Sequence, residues 1–117
     1  MANRILVIED EPGIRRMVAT VLRELGFETL TAPDAESARM LMHFAPPDVI
    51  IADVRLPDGD GVALSREARE QPGLASVSIV LMSAYPEPAG HCANEFLAKP
   101  FDPDSLEAAV RRYIPAA

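Results

Sequence analysis

Val49-Ile50-Ile51-Ala52-Asp53 is the stretch whose reading decides the fold. Four apolar residues run without a polar break and stop on a carboxylate. A run this short, led by β-branched residues and apolar on both faces, predicts a strand buried on both sides. Residues 4–8 repeat the pattern near the start of the chain, where Ile5-Leu6-Val7-Ile8 runs into Glu9-Asp10. Ser78–Met82 is a third such run, ending beside Ser83. Shorter strand patterns fall near Glu28–Thr31 and Phe96–Ala98.

Helical patterns separate these runs. Ile14, Met17, Val18, Val21, Leu22 and Leu25 recur at spacings of three and four, predicting a helix over 14–25. Pro12 suits its first turn, Asp10 or Glu11 its cap, and Gly26 its end. A second helix is predicted from Ala35 to about Phe44, capped by Asp34 and stopped by Pro46-Pro47. Pro57-Asp58-Gly59-Asp60-Gly61 reads as a turn cluster, followed by a helix from about Val62 to Glu70 that Pro72-Gly73 closes. The last helix begins near Asp102 or Pro103, with Leu106, Ala109, Val110 and Tyr113 facing inward. Strands alternating with helices predict an α/β protein with a parallel sheet covered on both faces.

One segment breaks the alternation. Between Ser83 and Glu95, where a helix is due, the chain reads Tyr85-Pro86-Glu87-Pro88-Ala89-Gly90. Two prolines and a glycine in six residues do not sustain a helix interior. The helix between the fourth and fifth strands is therefore expected to be missing or vestigial, with at most a turn around His91–Asn94.

The length of 117 residues suits one domain with one core. No repeat, linker or low-complexity segment interrupts it, so a single domain over 1–117 is expected. Acidic residues outnumber basic ones 18 to 11, which disfavours direct nucleic-acid binding because phosphate backbones select Lys and Arg patches. No apolar run approaches the ~20 residues of a membrane span. The N-terminus lacks the basic and long apolar regions of a signal peptide. The lone cysteine, Cys92, has no partner for an internal disulfide. A cytoplasmic location without a membrane partner follows as the expectation. His43 and His91 read as surface residues, and Arg15-Arg16 and Arg111-Arg112 as solvated helix faces.

Glu9, Asp10 and Asp53 carry the chemistry. Carboxylates at the ends of buried strands are costly to desolvate unless positive charge sits among them. A divalent cation, a lysine or a transient charged ligand would supply it. The chain's single lysine, Lys99, lies in Leu97-Ala98-Lys99-Pro100-Phe101, just past the fifth strand.

These motifs, in this order and each at a strand end, resemble a receiver domain of the two-component response-regulator family. The resemblance covers nearly the whole chain: Val7-Ile8-Glu9-Asp10-Glu11, then Ile51-Ala52-Asp53-Val54-Arg55-Leu56-Pro57 with Asp60-Gly61, then Met82-Ser83-Ala84, then Lys99-Pro100-Phe101. It implies a flavodoxin-like, doubly wound, five-stranded parallel sheet of order 2-1-3-4-5, with the site at the switch point between strands one and three. It also implies a role for each matching residue. Asp53 is the phosphoacceptor, taking a phosphoryl group from a histidine kinase or histidine phosphotransfer protein. Glu9, Asp10, Asp53 and the backbone carbonyl of Arg55 hold Mg²⁺. Lys99 pairs with the phosphoryl oxygens. Ser83 hydrogen-bonds them after a switch that Phe96 follows, and Pro100 is cis-linked, an isomer accessible because the residue is proline.

The implied function is a phosphoaccepting response-regulator receiver in two-component or phosphorelay signalling, either a single-domain relay or the receiver of a hybrid kinase. Such a protein is not an enzyme beyond its own phosphoryl transfer and dephosphorylation. The shortened Ser83–Lys99 stretch puts the usual output face in doubt, and the output partner is not named by the sequence. This lends mild support to one alternative, a receiver-fold binding module that signals without phosphorylation, while the complete acidic set and Lys99 argue against it. A third reading, a Mg²⁺-dependent phosphatase, needs a general acid two residues after Asp53. That position holds Arg55, which does not donate a proton usefully at neutral pH. The long cationic side chain of Arg55 is instead expected to overhang the site, and Tyr85, two after Ser83, to gate the same opening.

Overall fold

The structure is a computed structural model and describes residues 3–114. The expected domain span of 1–117 includes five terminal residues outside that range. In chain order the elements are β1 (Arg4–Ile8), α1 (Pro12–Glu24), β2 (Glu28–Ala32), α2 (Ala35–Phe44), β3 (Val49–Asp53), β4 (Arg55–Leu56), β5 (Gly59–Asp60), α3 (Gly61–Glu70), a 3-10 turn (Pro72–Leu74), β6 (Ser78–Ser83), β7 (Glu95–Ala98) and α4 (Pro103–Arg111).

Five strands form one sheet in the order β2-β1-β3-β6-β7, with all neighbours parallel. Leaving aside the small β4–β5 hairpin, this is the order 2-1-3-4-5. The central strands β1, β3 and β6 are buried, apart from the first residues of β1 and β6, because alternate side chains feed two cores. Leu6, Ile8, Ile50, Ile79 and Leu81 face one core, roofed by α2 and α3. Ile5, Val7, Val49, Ile51, Val80 and Met82 face the other, under α1 and α4.

Register brings the chemistry together. Ile8 pairs with Ala52, so Glu9 and Asp53 leave adjacent strands side by side. Asp53 pairs with Met82 and Ser83 with Ala98, which puts Lys99 at the same end of the sheet. Gly26, at φ +93°, turns the chain out of α1 in a conformation that disfavours any residue with a Cβ.

The expected gap is present. Between β6 and β7 there is no helix, and the chain crosses over as an irregular loop. The single turn allowed for at His91–Asn94 is not helical either. Asn94 instead spends its side chain on the sheet margin, where its Oδ1 accepts from the Ile79 amide at 2.8 Å. The fourth long strand runs one residue beyond its expected end and includes Ser83.

Candidate functional site

Glu9, Asp10 and Asp53 are contributed by the ends of β1 and β3. Oxygens from all three carboxylates lie within 4.8 Å of one another. Glu11, not Asp10, caps α1, accepting from the Gly13 and Ile14 amides at 3.0 and 2.6 Å. That choice leaves the exposed Asp10 carboxylate free of capping, beside the buried Glu9.

Lys99 enters the cluster from the far side. Its ammonium donates to Glu9 Oε1 and, at 2.7 Å, to Asp53 Oδ2. The other Asp53 oxygen accepts from the Arg55 amide at 3.1 Å. Burial raises the Asp53 pKa, but hydrogen bonds with Glu9, Lys99 and the Arg55 amide outweigh it and hold the carboxyl below its ordinary value. Glu9 goes the other way. Burial, with Asp53 beside it, pushes its pKa up to about 7 against the pull of Lys99. Its Oε2 is buried with no hydrogen-bond partner. Burial depresses the Lys99 pKa, but the two carboxylates more than reverse this and keep it charged.

An orphaned buried carboxylate oxygen, next to two further carboxylates and one shared ammonium, is a site short of positive charge. The donor set is all oxygen, which suits a hard divalent cation such as Mg²⁺. The cluster opens into a cleft of about 520 Å³ whose rim includes Arg55, Ala84 and Tyr85. Here the Arg55 guanidinium carbon stacks 3.8 Å above the centre of the Tyr85 ring.

Two residues singled out in the sequence lie off the cleft. Ser83 is buried, and its Oγ accepts from the Tyr85 amide at 3.0 Å. Phe96 is half-buried and packs on the core beneath α2 and α3. The Lys99–Pro100 peptide bond is cis. Sequence reasoning missed Asp58, whose carboxylate reaches from the hairpin turn to the Ala35 and Glu36 amides at 2.8 and 3.0 Å and ties that loop to α2. It missed Arg69 as well, whose guanidinium donates to the Cys92 carbonyl and to Asn94 Oδ1, because these contacts, like those of Asp58, join residues far apart in the chain.

The family model of the response regulator receiver domain matches residues 5–111. Among curated proteins the chain is 37% identical over 116 residues to the regulatory protein AtoC of Escherichia coli, covering 94% of this chain and 25% of AtoC. It spans from a quarter to just over half the length of such relatives. Among solved structures, the chemotaxis response regulator CheY4 of Vibrio cholerae superimposes with a TM-score of 0.91 at 28% identity, covering 97% of this chain and all of CheY4. The receiver domain of the sensor histidine kinase PA1611 from Pseudomonas aeruginosa gives 0.88 at 30% identity, covering 99% of this chain and all of that domain. That structure holds a magnesium ion coordinated in its active-site cleft.

Proposed function

Since the chain belongs to the response regulator receiver family, we propose that it accepts a phosphoryl group on Asp53 from a phosphohistidine of a histidine kinase or a histidine phosphotransfer protein. The observation that carries this reading is the state of Asp53. Its carboxyl lines a cleft and is held ionised, one oxygen on the Lys99 ammonium and the other on a backbone amide. A carboxylate nucleophile must be ionised and its approach to an anionic phosphoryl group must be charge-compensated.

In the transfer, an Asp53 carboxylate oxygen forms a bond to phosphorus as the phosphorus–nitrogen bond breaks. The departing imidazole keeps that electron pair. Lys99 stays with the oxygens that gain charge, and Ser83 turns from the Tyr85 amide to donate to them. Mg²⁺, held by Glu9, Asp10, Asp53 and the Arg55 carbonyl, would neutralise charge between carboxylates and phosphoryl oxygens. One receiver domain over 1–117, acting in the cytoplasm and phosphorylating only itself, completes the reading.

Incubation with acetyl phosphate or phosphoramidate and Mg²⁺ is expected to add the mass of one phosphoryl group, and Asp53→Asn to abolish the gain. The absence of a helix between β6 and β7 favours a second reading, a binding module that works without phosphorylation. No labelling under conditions that label another receiver would decide for that second reading.

A further inference from the structure

The Arg55 guanidinium is charged, exposed and without a hydrogen-bond acceptor among the described residues. Most arginines here are engaged. Arg4, Arg39, Arg111 and Arg112 hold carboxylates. Arg15, Arg23, Arg66 and Arg69 hold carbonyls. Arg16, on the outer side of α1, and Arg55 lack such partners. Only Arg55 of these two lines the acidic cleft, and it rests on the ring of Tyr85, a residue that is 53% exposed.

A cation on an exposed aromatic face gains about 0.5–1 kcal/mol. A guanidinium paired with phosphate oxygens makes charge-assisted, often bidentate hydrogen bonds that are stronger. Phosphorylation of Asp53 replaces one negative charge by nearly two. The Lys99 ammonium is already divided between two carboxylates. A divalent cation would be shared with the carboxylates of Glu9, Asp10 and Asp53, so the added charge still favours a further cation on the phosphoryl oxygens, and Arg55 lines the same cleft.

We propose that Arg55 is a second phosphoryl-binding residue, parked on Tyr85 in the resting state and transferred to the phosphoryl oxygens when Asp53 is modified. The transfer rests on the phosphoacceptor reading and adds to it. Tyr85 then loses its ring contact with Arg55. Its amide bond to Ser83 Oγ is given up in the same event, because Ser83 turns to the same anion. Both anchors of Tyr85 are thus residues that the phosphoryl group recruits. The start of the β6–β7 crossover becomes the part of the chain that registers modification.

The test uses the intact protein with beryllium chloride, sodium fluoride and Mg²⁺, a mixture that forms a phosphoryl-like adduct on an aspartate. Bound ¹⁹F signal gives the affinity, and ¹H–¹³C spectra of the Tyr85 and Tyr113 rings give the environment. Wild type is expected to form the adduct with a shift at Tyr85 and none at Tyr113. Arg55→Ala is expected to bind roughly tenfold more weakly, the size of one such contact. Its Tyr85 ring should start partly released and shift less on binding than in wild type, because only the Ser83 anchor is left to give up. Arg55→Lys should recover part of the affinity. Tyr85→Ala, which frees the guanidinium, should bind at least as well as wild type. If Tyr85→Ala weakens the adduct as much as Arg55→Ala, the pair is a fixed lid and the transfer is wrong. An adduct insensitive to Arg55→Ala overturns the proposal alone. Absence of any adduct in wild type overturns the phosphoacceptor reading and the proposal with it.

Discussion

Glu9 and Glu11 stand two residues apart and are driven in opposite directions. Glu11 is exposed and accepts the Ile14 and Gly13 amides, which hold its pKa below the ordinary 4.5. Glu9 is buried, and its pKa rises to about 7. The sequence left Asp10 and Glu11 equal as caps of α1. The choice turns on where β1 releases the chain, and the last sheet bond, from the Glu9 amide to Ala32 at 3.0 Å, settles it. The Glu9 shift has a sign that can be measured. Between pH 4.5 and about 7 the folded state keeps a proton that the unfolded chain gives up. Stability from this group is complete below 4.5 and lost as pH rises through about 7. Asp53, held low, acts in the opposite sense and only below pH 3.8, outside that window. In chelator, urea unfolding should therefore show a loss on the order of 2 kcal/mol from pH 5 to pH 8. Glu9→Gln should flatten the slope, and Mg²⁺ should restore stability at pH 8 in wild type only. A flat profile in the wild type would show that Glu9 is ionised throughout.

The placement of α3 depends on a missing side chain. A Cβ on Gly61 would stand 2.2 Å from the Asp53 carbonyl oxygen, nearer than atoms approach without something moving. The obstacle is backbone at the root of the phosphoacceptor candidate, so it does not yield cheaply. Asp60 caps the same helix through the Ala63 amide at 2.7 Å, and the Gly61 amide reaches Val54 at 2.8 Å. Gly61→Ala is expected to cost about 3 kcal/mol in urea unfolding. It should also displace Asp53 enough to lose phosphoryl acceptance at temperatures where the variant is still folded. Gly59→Ala is the control, because its Cβ would make an ordinary 3.8 Å contact with Ala35. Equal behaviour of the two variants would mean that the α3 start adapts. At this scale much of the architecture was legible. Apolar runs marked β1, β3 and β6, and Asp34 and Asp102 marked two helix starts. Carboxylates closing two apolar runs, with the chain's one lysine just past a third strand, pointed to the cluster of Glu9, Asp10, Asp53 and Lys99, and the order of the motifs added their roles. The Asp58 cap and the Gly61 contact were not legible, because each joins elements by a register that only the folded sheet defines.

The molecule as a whole is unevenly roofed. Under α1 and α4 the sheet has a helix at each side. On the other face α2 and α3 cover one side, and where a further helix would lie the crossover loop closes the core with Ala93 and Phe96 only partly buried. The prolines made the absence readable, but not what replaces the helix. Arg69, at the end of α3, does much of that work. Its guanidinium donates to the Cys92 carbonyl at 3.3 Å, to Asn94 Oδ1 at 2.6 Å, to Ala75 at 3.4 Å and to the Val77 carbonyl. One side chain thus ties the helix, the segment between the 3-10 turn and β6, and the far end of the loop together. Arg66 offers a single exposed contact, 3.4 Å to Gly90. Hydrogen bonds to charged groups contribute more than neutral ones, and the carbonyls left behind would be partly buried and unpaired. Arg69→Ala should therefore cost about 3 kcal/mol, and Arg66→Ala less than about 0.5. Amide exchange across 87–94 should rise sharply in the first and barely in the second. The near end of the loop, at Tyr85, should stay as protected as in wild type, since its anchors are Ser83 and Arg55. If both variants behave alike, the loop is held instead by its internal His91–Glu87 pair at 2.7 Å. In that case His91→Ala, not Arg69→Ala, would open it. The two ends of the crossover thus have separate anchors, Arg69 at the far end and Ser83 with Arg55 at the near one, and mutation is expected to separate them.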